Sequence, residues 1–327
     1  MRSATVALVL LAAACGSPDR PPTVLHSAPE PARAPVPTVA PAGKQIDLQG
    51  GRPEGIVADP VSGLVVVALR DPNRLALVDP VAGRVLRTVA VPGSARHLEL
   101  APGGGAVLVP GEDTDLVTSV ALPAGTVGTS VRVLRQPHDV AVTDDGTEYV
   151  ADEFGNAVSL VRDGAVVKTF AGLVQPGGAA GTGDTGTVVD VRARLVHVYR
   201  GDREVGVLPA GRGPTHALAL VPGTVLVTDT SGGALLLYDV AGKPRQTQSV
   251  RLPGRPYGAA YDASRSRVFI SATAGNLLVE YRLQRGRLTR VATFPTVRDA
   301  YSVAVVPSTG RVVVAGESGS VLQLLDP

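Results

Sequence analysis

Five side chains able to do acid–base or metal chemistry recur about one repeat apart along the chain: Glu54, His138, His216, Tyr257 and Tyr301. Arg96 falls in the same series, and Asp152, Glu153 and Asp229 occupy turns close to it in the pattern. Imidazoles and carboxylates that converge on one axis can hold a divalent cation or exchange a proton with a bound molecule. The candidate metal ligands are Glu54, His138 and His216; no other cofactor is called for, and no residue is marked as catalytic. The spacing belongs to the repeat itself, so each side chain can equally fill the mouth of a channel and bond a neighbouring turn. That reading carries more weight, because histidines on different repeats stand far apart unless the axis is narrow. His97 and His197 read as structural, and Glu99 as the ion-pair partner of Arg96.

Other chemistries find no support. There is no serine nucleophile elbow, HExxH motif, phosphate loop or dinucleotide fingerprint. Gly103–Gly104–Gly105 separates two strand-like runs instead of opening a helix, so it cradles no phosphate. Asp144–Asp145–Gly146 reads as a hairpin turn, because the later ligands of a calcium loop do not follow. Cys15 is the only cysteine, which leaves no disulfide framework and no thiolate cluster. The formal net charge is +2 with the basic residues scattered, and aromatics make up 3%. A nucleic-acid surface needs a basic stripe and stacking rings, so nucleic acid is not an expected partner. The same lack of rings disfavours carbohydrate, and no haem or copper ligand set marks a redox partner.

The elements that must position these residues are short strands. Each unit opens with a Gly/Pro turn and an apolar strand, followed by three more strands separated by polar turns. Unit one reads Arg52–Pro53–Glu54–Gly55–Ile56–Val57–Ala58–Asp59–Pro60, then Val65–Val66–Val67–Ala68, then Leu75–Ala76–Leu77–Val78–Asp79. Unit three answers with Gln136–Pro137–His138–Asp139–Val140–Ala141–Val142 and unit six with Arg255–Pro256–Tyr257–Gly258–Ala259–Ala260–Tyr261–Asp262. The residue before each first strand is Glu54, Arg96, His138, Gly177, His216, Tyr257 and Tyr301, at intervals of 42, 42, 39, 39, 41 and 44. Placing His216 there requires a one-residue insertion after Pro214. Seven near-equal units of four strands predict an all-β, seven-bladed β-propeller.

The last unit stops after its third strand, Val321 to Leu325. Lys44–Gln45–Ile46–Asp47–Leu48 supplies the missing fourth, which closes the ring and protects two sheet edges. Antiparallel meandering puts the turn from second to third strand on the same face as the link between blades. That upper face collects Asp71, Glu112, Asp113, Asp115, Asp152, Glu153, Asp190, Asp229 and Glu317, while the lower hairpins carry Arg84, Lys243, Arg245, Arg282, Arg285 and Arg287. An acidic upper and a basic lower face are therefore expected. The middle of the first strand reads Val57, Glu99, Ala141, Ala180, Ala219, Ala260 and Ala304, mostly small residues that suit a crowded axis.

These units resemble the YVTN-type β-propeller repeat, over roughly residues 44–327. The resemblance implies the fold and leaves the function open, since such propellers serve many roles. The N-terminus has its own logic. A basic start, an apolar run from Thr5 to Ala14 and Leu11–Ala12–Ala13–Ala14–Cys15 resemble a bacterial lipoprotein signal, with Ala12 where leucine is usual. Residues 1–15 are read as that signal, with Cys15 lipidated, and 16–43 as a proline-rich tether in which His26 is solvated. The expected protein is an exported monomer, anchored to the outer side of the cytoplasmic membrane or cell envelope. Its expected role is a ligand- or protein-binding scaffold working through the upper channel face. The alternative is a divalent-metal-dependent enzyme, similar to propeller lactonases or lyases, with its site at the channel mouth.

Overall fold

A computed structural model describes residues 25–327. The signal segment with Cys15, and tether residues 16–24, lie outside the described residues. Seven four-stranded antiparallel sheets follow one another around an axis, so the chain is a seven-bladed β-propeller. Their innermost strands are Arg52–Ala58, Glu99–Leu100, Pro137–Val142, Pro176–Thr182, Pro214–Ala219, Pro256–Asp262 and Ala300–Val305. Helix is confined to two short 3-10 turns among the described residues, Thr273–Gly275 and Glu317–Gly319.

The sequence pattern explains the layers. Middle strands such as Val65–Arg70 are buried on both sheet faces, because each blade is covered by its two neighbours. They therefore read as continuous Val/Leu runs without polar alternation. Outer strands such as Arg84–Ala90 face solvent and are polar. The core is seven apolar clusters, each lying between adjacent blades. One joins Val66, Leu75 and Val107 of blades 1 and 2; another joins Tyr149, Leu160 and Val188 of blades 3 and 4.

The ring closes as the sequence predicts. Lys44–Asp47 pairs antiparallel with Val321–Leu325, Ile46 opposite Leu322, and forms the outer strand of blade 7. Ile46 and Leu48 join the cluster between blades 7 and 1. Burying each such side chain stabilises the closed ring by about 1.5–3 kcal/mol.

Two features differ from expectation. First, the inner strands carry an irregularity near the mouth in six blades, as between Pro53 and Ile56 or Pro214 and Ala217. The shared register aligns Pro214 with Pro256 and Pro176, so no insertion follows Pro214. The column of Glu54 and His138 therefore continues through Thr215, and that of Val57 and Glu99 through Leu218, not Ala219. His216 instead shares a column with Gly55, His97, Asp139, Gly178, Gly258 and Ser302. In blade 2 the inner strand is only Glu99–Leu100, and the irregular backbone ahead of it brings both Arg96 and His97 to the mouth.

Second, residues 26–37 do not stand away from the domain as a solvated tether. They lie along the upper face from blade 4 to blade 7, with Ala34 only 2% exposed. Loop groups that need partners meet backbone groups that polyproline geometry leaves unpaired. His26, half-buried, exchanges two bonds with Arg192 through its own backbone.

Candidate channel-mouth site

Glu54, Arg96 and His138 end on one opening because they occupy one column of the inner strands. The turns between second and third strands then add Arg70, Glu112 and Glu153. His138 Nδ1 stands 3.1 Å from Glu153 Oε2 and 3.3 Å from Glu112 Oε1. Arg70 reaches Glu112 at 2.5 Å and Glu54 at 3.4 Å, and Arg96 Nε is 3.3 Å from Glu112. Gln175 Nε2 donates to Glu153 at 2.6 Å. Three carboxylates thus meet two guanidinium groups and one imidazole. If the ring is protonated, the charges balance.

The surroundings favour that protonation. Burial alone would depress His138, but Glu112 and Glu153 outweigh it and hold the ring up at about 9. Glu112 shows the converse: burial pushes it up, while His138, Arg96 and Arg70 bring it down to about 2. Burial also raises Glu153, and its bond from His138 leaves it below the usual carboxylate range. Glu54 is held above that range by burial, only partly offset by Arg70 and Arg96. The Glu54–Arg96 and Glu112–Arg96 attractions stabilise the charged guanidinium despite its burial.

One layer below, the rings stack inward. His97 packs on His138 at 4.9 Å between centroids and on His216 at 4.7 Å. His216 meets the edge of Tyr257 at 4.2 Å, and Tyr257 lies 5.6 Å from Tyr301. Burial and the nearby His138 charge push His216 down to about 3, and burial holds His97 well below its ordinary value. Both rings are therefore neutral plugs. Gly177 makes room for Val191 beside the His138 ring: a Cβ there would lie 2.9 Å from the Val191 side chain.

Of the residues expected at the site, Glu54, Arg96, His138 and Glu153 come together in the charged cluster, and His216, Tyr257 and Tyr301 in the aromatic layer. Asp152 and Asp229 do neither. Asp152 is fully buried and accepts a bond from Ser159 Oγ at 2.6 Å. Asp229 collects the amides of Arg212, Gly213 and Gly232, and Asp190 does the same for Val174, Gln175 and Ala193. Much of the upper acidity is thus spent pinning the links between blades. Glu99 does not pair with Arg96, which belongs to Glu112; it lines the channel below the rings.

The proposed metal trio is not assembled either. The ligand atoms that lie within 4.8 Å of one another belong to Glu112, His138 and Glu153, whereas Glu54 is engaged by Arg70. Glu112, Arg70 and His97 are the residues that the sequence reading left out of the site. His97 stands one place from the column, and the irregular backbone ahead of Glu99–Leu100 that carries it to the mouth leaves no mark in a periodic pattern.

Residues 28–30 roof the cluster, enclosing a cavity of about 50 Å³ with Arg96, His138 and Tyr257 on its wall. Among the described residues, the hydrogen bonds that hold the strap above go to its backbone, while Ala28 and Ala34 pack their side chains inward. Ala32 N donates to Thr273 Oγ1 at 3.1 Å and Ala34 N to Asp299 Oδ1 at 2.7 Å. Arg298 Nε donates to Ala34 O at 2.9 Å, Asn276 Nδ2 to Pro35 O at 2.9 Å, and Tyr301 Oη to Ala32 O at 3.4 Å.

No protein-family model matches the chain, and no curated protein matches it. Solved structures do resemble it. A chain of the hydrazine synthase of Kuenenia stuttgartiensis is 17% identical with a TM-score of 0.73, over 85% of this chain and 96% of that one. A streptogramin B lyase is 12% identical with a TM-score of 0.72, over 86% and 97%. The WD40 repeats of RRP9 are 14% identical with a TM-score of 0.71, over 88% and 99%. At such identities the likeness establishes the seven-bladed propeller and nothing of its chemistry, since enzymes and repeat scaffolds stand side by side.

Proposed function

We propose that the protein is an exported, lipid-anchored propeller of the YVTN type that acts as a non-catalytic binding module, its upper face taking an extended, proline-rich polypeptide. The observation that carries this reading is the way the face holds residues 26–35. Thr273, Asn276, Arg298, Asp299 and Tyr301 all bond the backbone of that segment, not its side chains. A face so equipped recognises any chain that presents unpaired amides and carbonyls at the same spacing, and polyproline geometry presents them without internal bonds. The acid–base groups beneath are consumed by one another. His138 lies between two carboxylates, and burial leaves His97 and His216 as neutral, weakly basic rings.

A labelled synthetic peptide of residues 25–37 tests the reading. The chain with those residues replaced by a Gly/Ser linker of equal length should bind it, and the wild-type chain should bind it far more weakly. The tethered segment competes at an effective concentration on the order of millimolar. Absence of binding to the replaced chain would remove this function.

A second reading rests on one observation, the approach of Glu112, His138 and Glu153 within 4.8 Å. A divalent cation there would displace the imidazole proton and make the protein a metal-dependent propeller enzyme. Arg70 and Arg96 on Glu112 oppose it electrostatically. A stoichiometric metal by mass spectrometry, lost in His138→Ala, would favour this alternative over the first.

A further inference from the structure

Below the ring layer the axis opens into a cavity of about 360 Å³, within the size range of small-molecule sites, about 300–1,000 Å³. It runs along the inner strands toward their lower ends. Its lining side chains are largely small and aliphatic, among them Gly55, Ala58, Ala180, Ala219, Ala260 and Ala304, while its wall is about as polar as it is apolar. From above it is sealed by His97, His216 and Tyr301, with the strap over them. A molecule must therefore enter from the lower face.

Two carboxyl groups face this space, Glu99 from blade 2 and Asp139 from blade 3. Asp139 accepts the amides of Val140 at 2.9 Å and Ala179 at 2.8 Å, and His97 Nδ1 lies 3.8 Å from it. Glu99 accepts only its neighbour's amide, Leu100 N, at 3.2 Å, and makes no ion pair among the described residues. The other titratable groups on the wall are His97, His216, Tyr261 and Tyr301. Among the described residues no Lys or Arg borders the channel; Arg96 and His138 are committed to Glu112 and Glu153 above the rings. Two carboxyls in a channel without a cation are a costly arrangement, and the missing partner is a positive charge.

The approach fits the same sign. The inner turns at the lower end carry Asp144, Asp145 and Asp184, all exposed. Arg265 in that ring is paired with Asp262, and Asp184 with Arg200. The basic residues expected on the lower face sit on the outer hairpins, away from the axis. Acidic groups around a low-dielectric opening draw cations inward.

We propose that the axial channel binds a small aliphatic primary amine, which enters from the lower face and seats its ammonium group between Glu99 and Asp139 with its carbon tail along the alanine walls. This site is separate from the peptide face and stands or falls independently of it. In the empty channel, burial and the neighbouring Asp139 hold Glu99 up at about 8. An ammonium ion that enters therefore expels a proton from a carboxyl group to solvent, and binding tightens as the pH rises from about 6 to about 8.

The test is calorimetric titration of the full chain with n-butylamine near neutral pH, in two buffers of different ionisation enthalpy. One-to-one binding with net proton release is expected, tighter at about pH 8 than at about pH 6. Glu99→Gln should weaken it at least about tenfold, and Asp139→Asn should do the same. Both variants should keep the wild-type circular dichroism spectrum, since each removes a buried acid without changing volume. Absence of butylamine binding would overturn the proposal. So would wild-type affinity in both variants, equal binding of n-butanol, or saturation of the site by calcium in preference to the amine.

Discussion

Replacing His138 by Gln should abolish a specific part of the protein's alkaline destabilisation. The imidazole is held at about 9 in the folded chain against an ordinary value of about 6.5. A raised cationic group contributes its full stabilisation below about pH 6.5 and loses it as the pH climbs through about 9. A shift of about 2.5 units at about 1.4 kcal/mol each gives roughly 3 kcal/mol. Glu99 and Asp139 titrate in the same direction: burial raises both, so they weaken the fold on ionising as the pH rises. That fall is common to wild type and variant and cancels in a difference of differences. Urea unfolding followed by far-ultraviolet circular dichroism suits a chain without Trp. Between about pH 6 and pH 10 the wild type should lose about 3 kcal/mol more than His138→Gln. An equal loss in both proteins would show that His138 is not an imidazolium pinned by Glu112 and Glu153.

Asp229→Ala should strip the acceptor from three loop amides, lowering stability by about 3 kcal/mol in the same assay; Asp71→Asn, which keeps a residue suited to the left-handed backbone there while removing the charge of the exposed pair with Arg52, should change it by less than about 0.5 kcal/mol. Ile46→Ala should loosen the closing strand by about 3 kcal/mol and lower Tm by several degrees, whereas a Tm within one degree of wild type would mean that the ring does not depend on this strand. Addition of Mg²⁺, Ca²⁺ or Zn²⁺ at about pH 6 should leave Tm unmoved, because the proton on His138 holds the place of a metal; an increase of several degrees would place an ion there.

The architecture was legible because it is written many times over. Seven Val-rich middle strands, a steady interval and an orphan third strand at the end leave one arrangement that buries the apolar runs, and Ile46 pairs where that logic puts it. The site was legible only in part. Glu54, Arg96 and His138 share a column and were found by counting. Asp139 comes in through a bulge and His97 from the irregular backbone ahead of the blade 2 inner strand, and the register of the inner strands moved His216 out of the column by one residue. Asp152 and Asp229 look the same in sequence as Glu153, yet they turn into the blades, Asp152 to accept the Ser159 hydroxyl and Asp229 to hold backbone amides. The strap was read as a tether because its prolines cannot build a core. Composition does not reveal that Thr273, Arg298 and Asp299 stand ready for its backbone.

The account turns on that backbone capture, and hydrogen exchange at the amides of Ala32 and Ala34 measures it directly. Both are predicted to exchange far more slowly than an unstructured peptide, and Asp299→Ala should release Ala34 in particular. Free-peptide exchange at both positions, in a propeller whose strand amides stay protected, would contradict it.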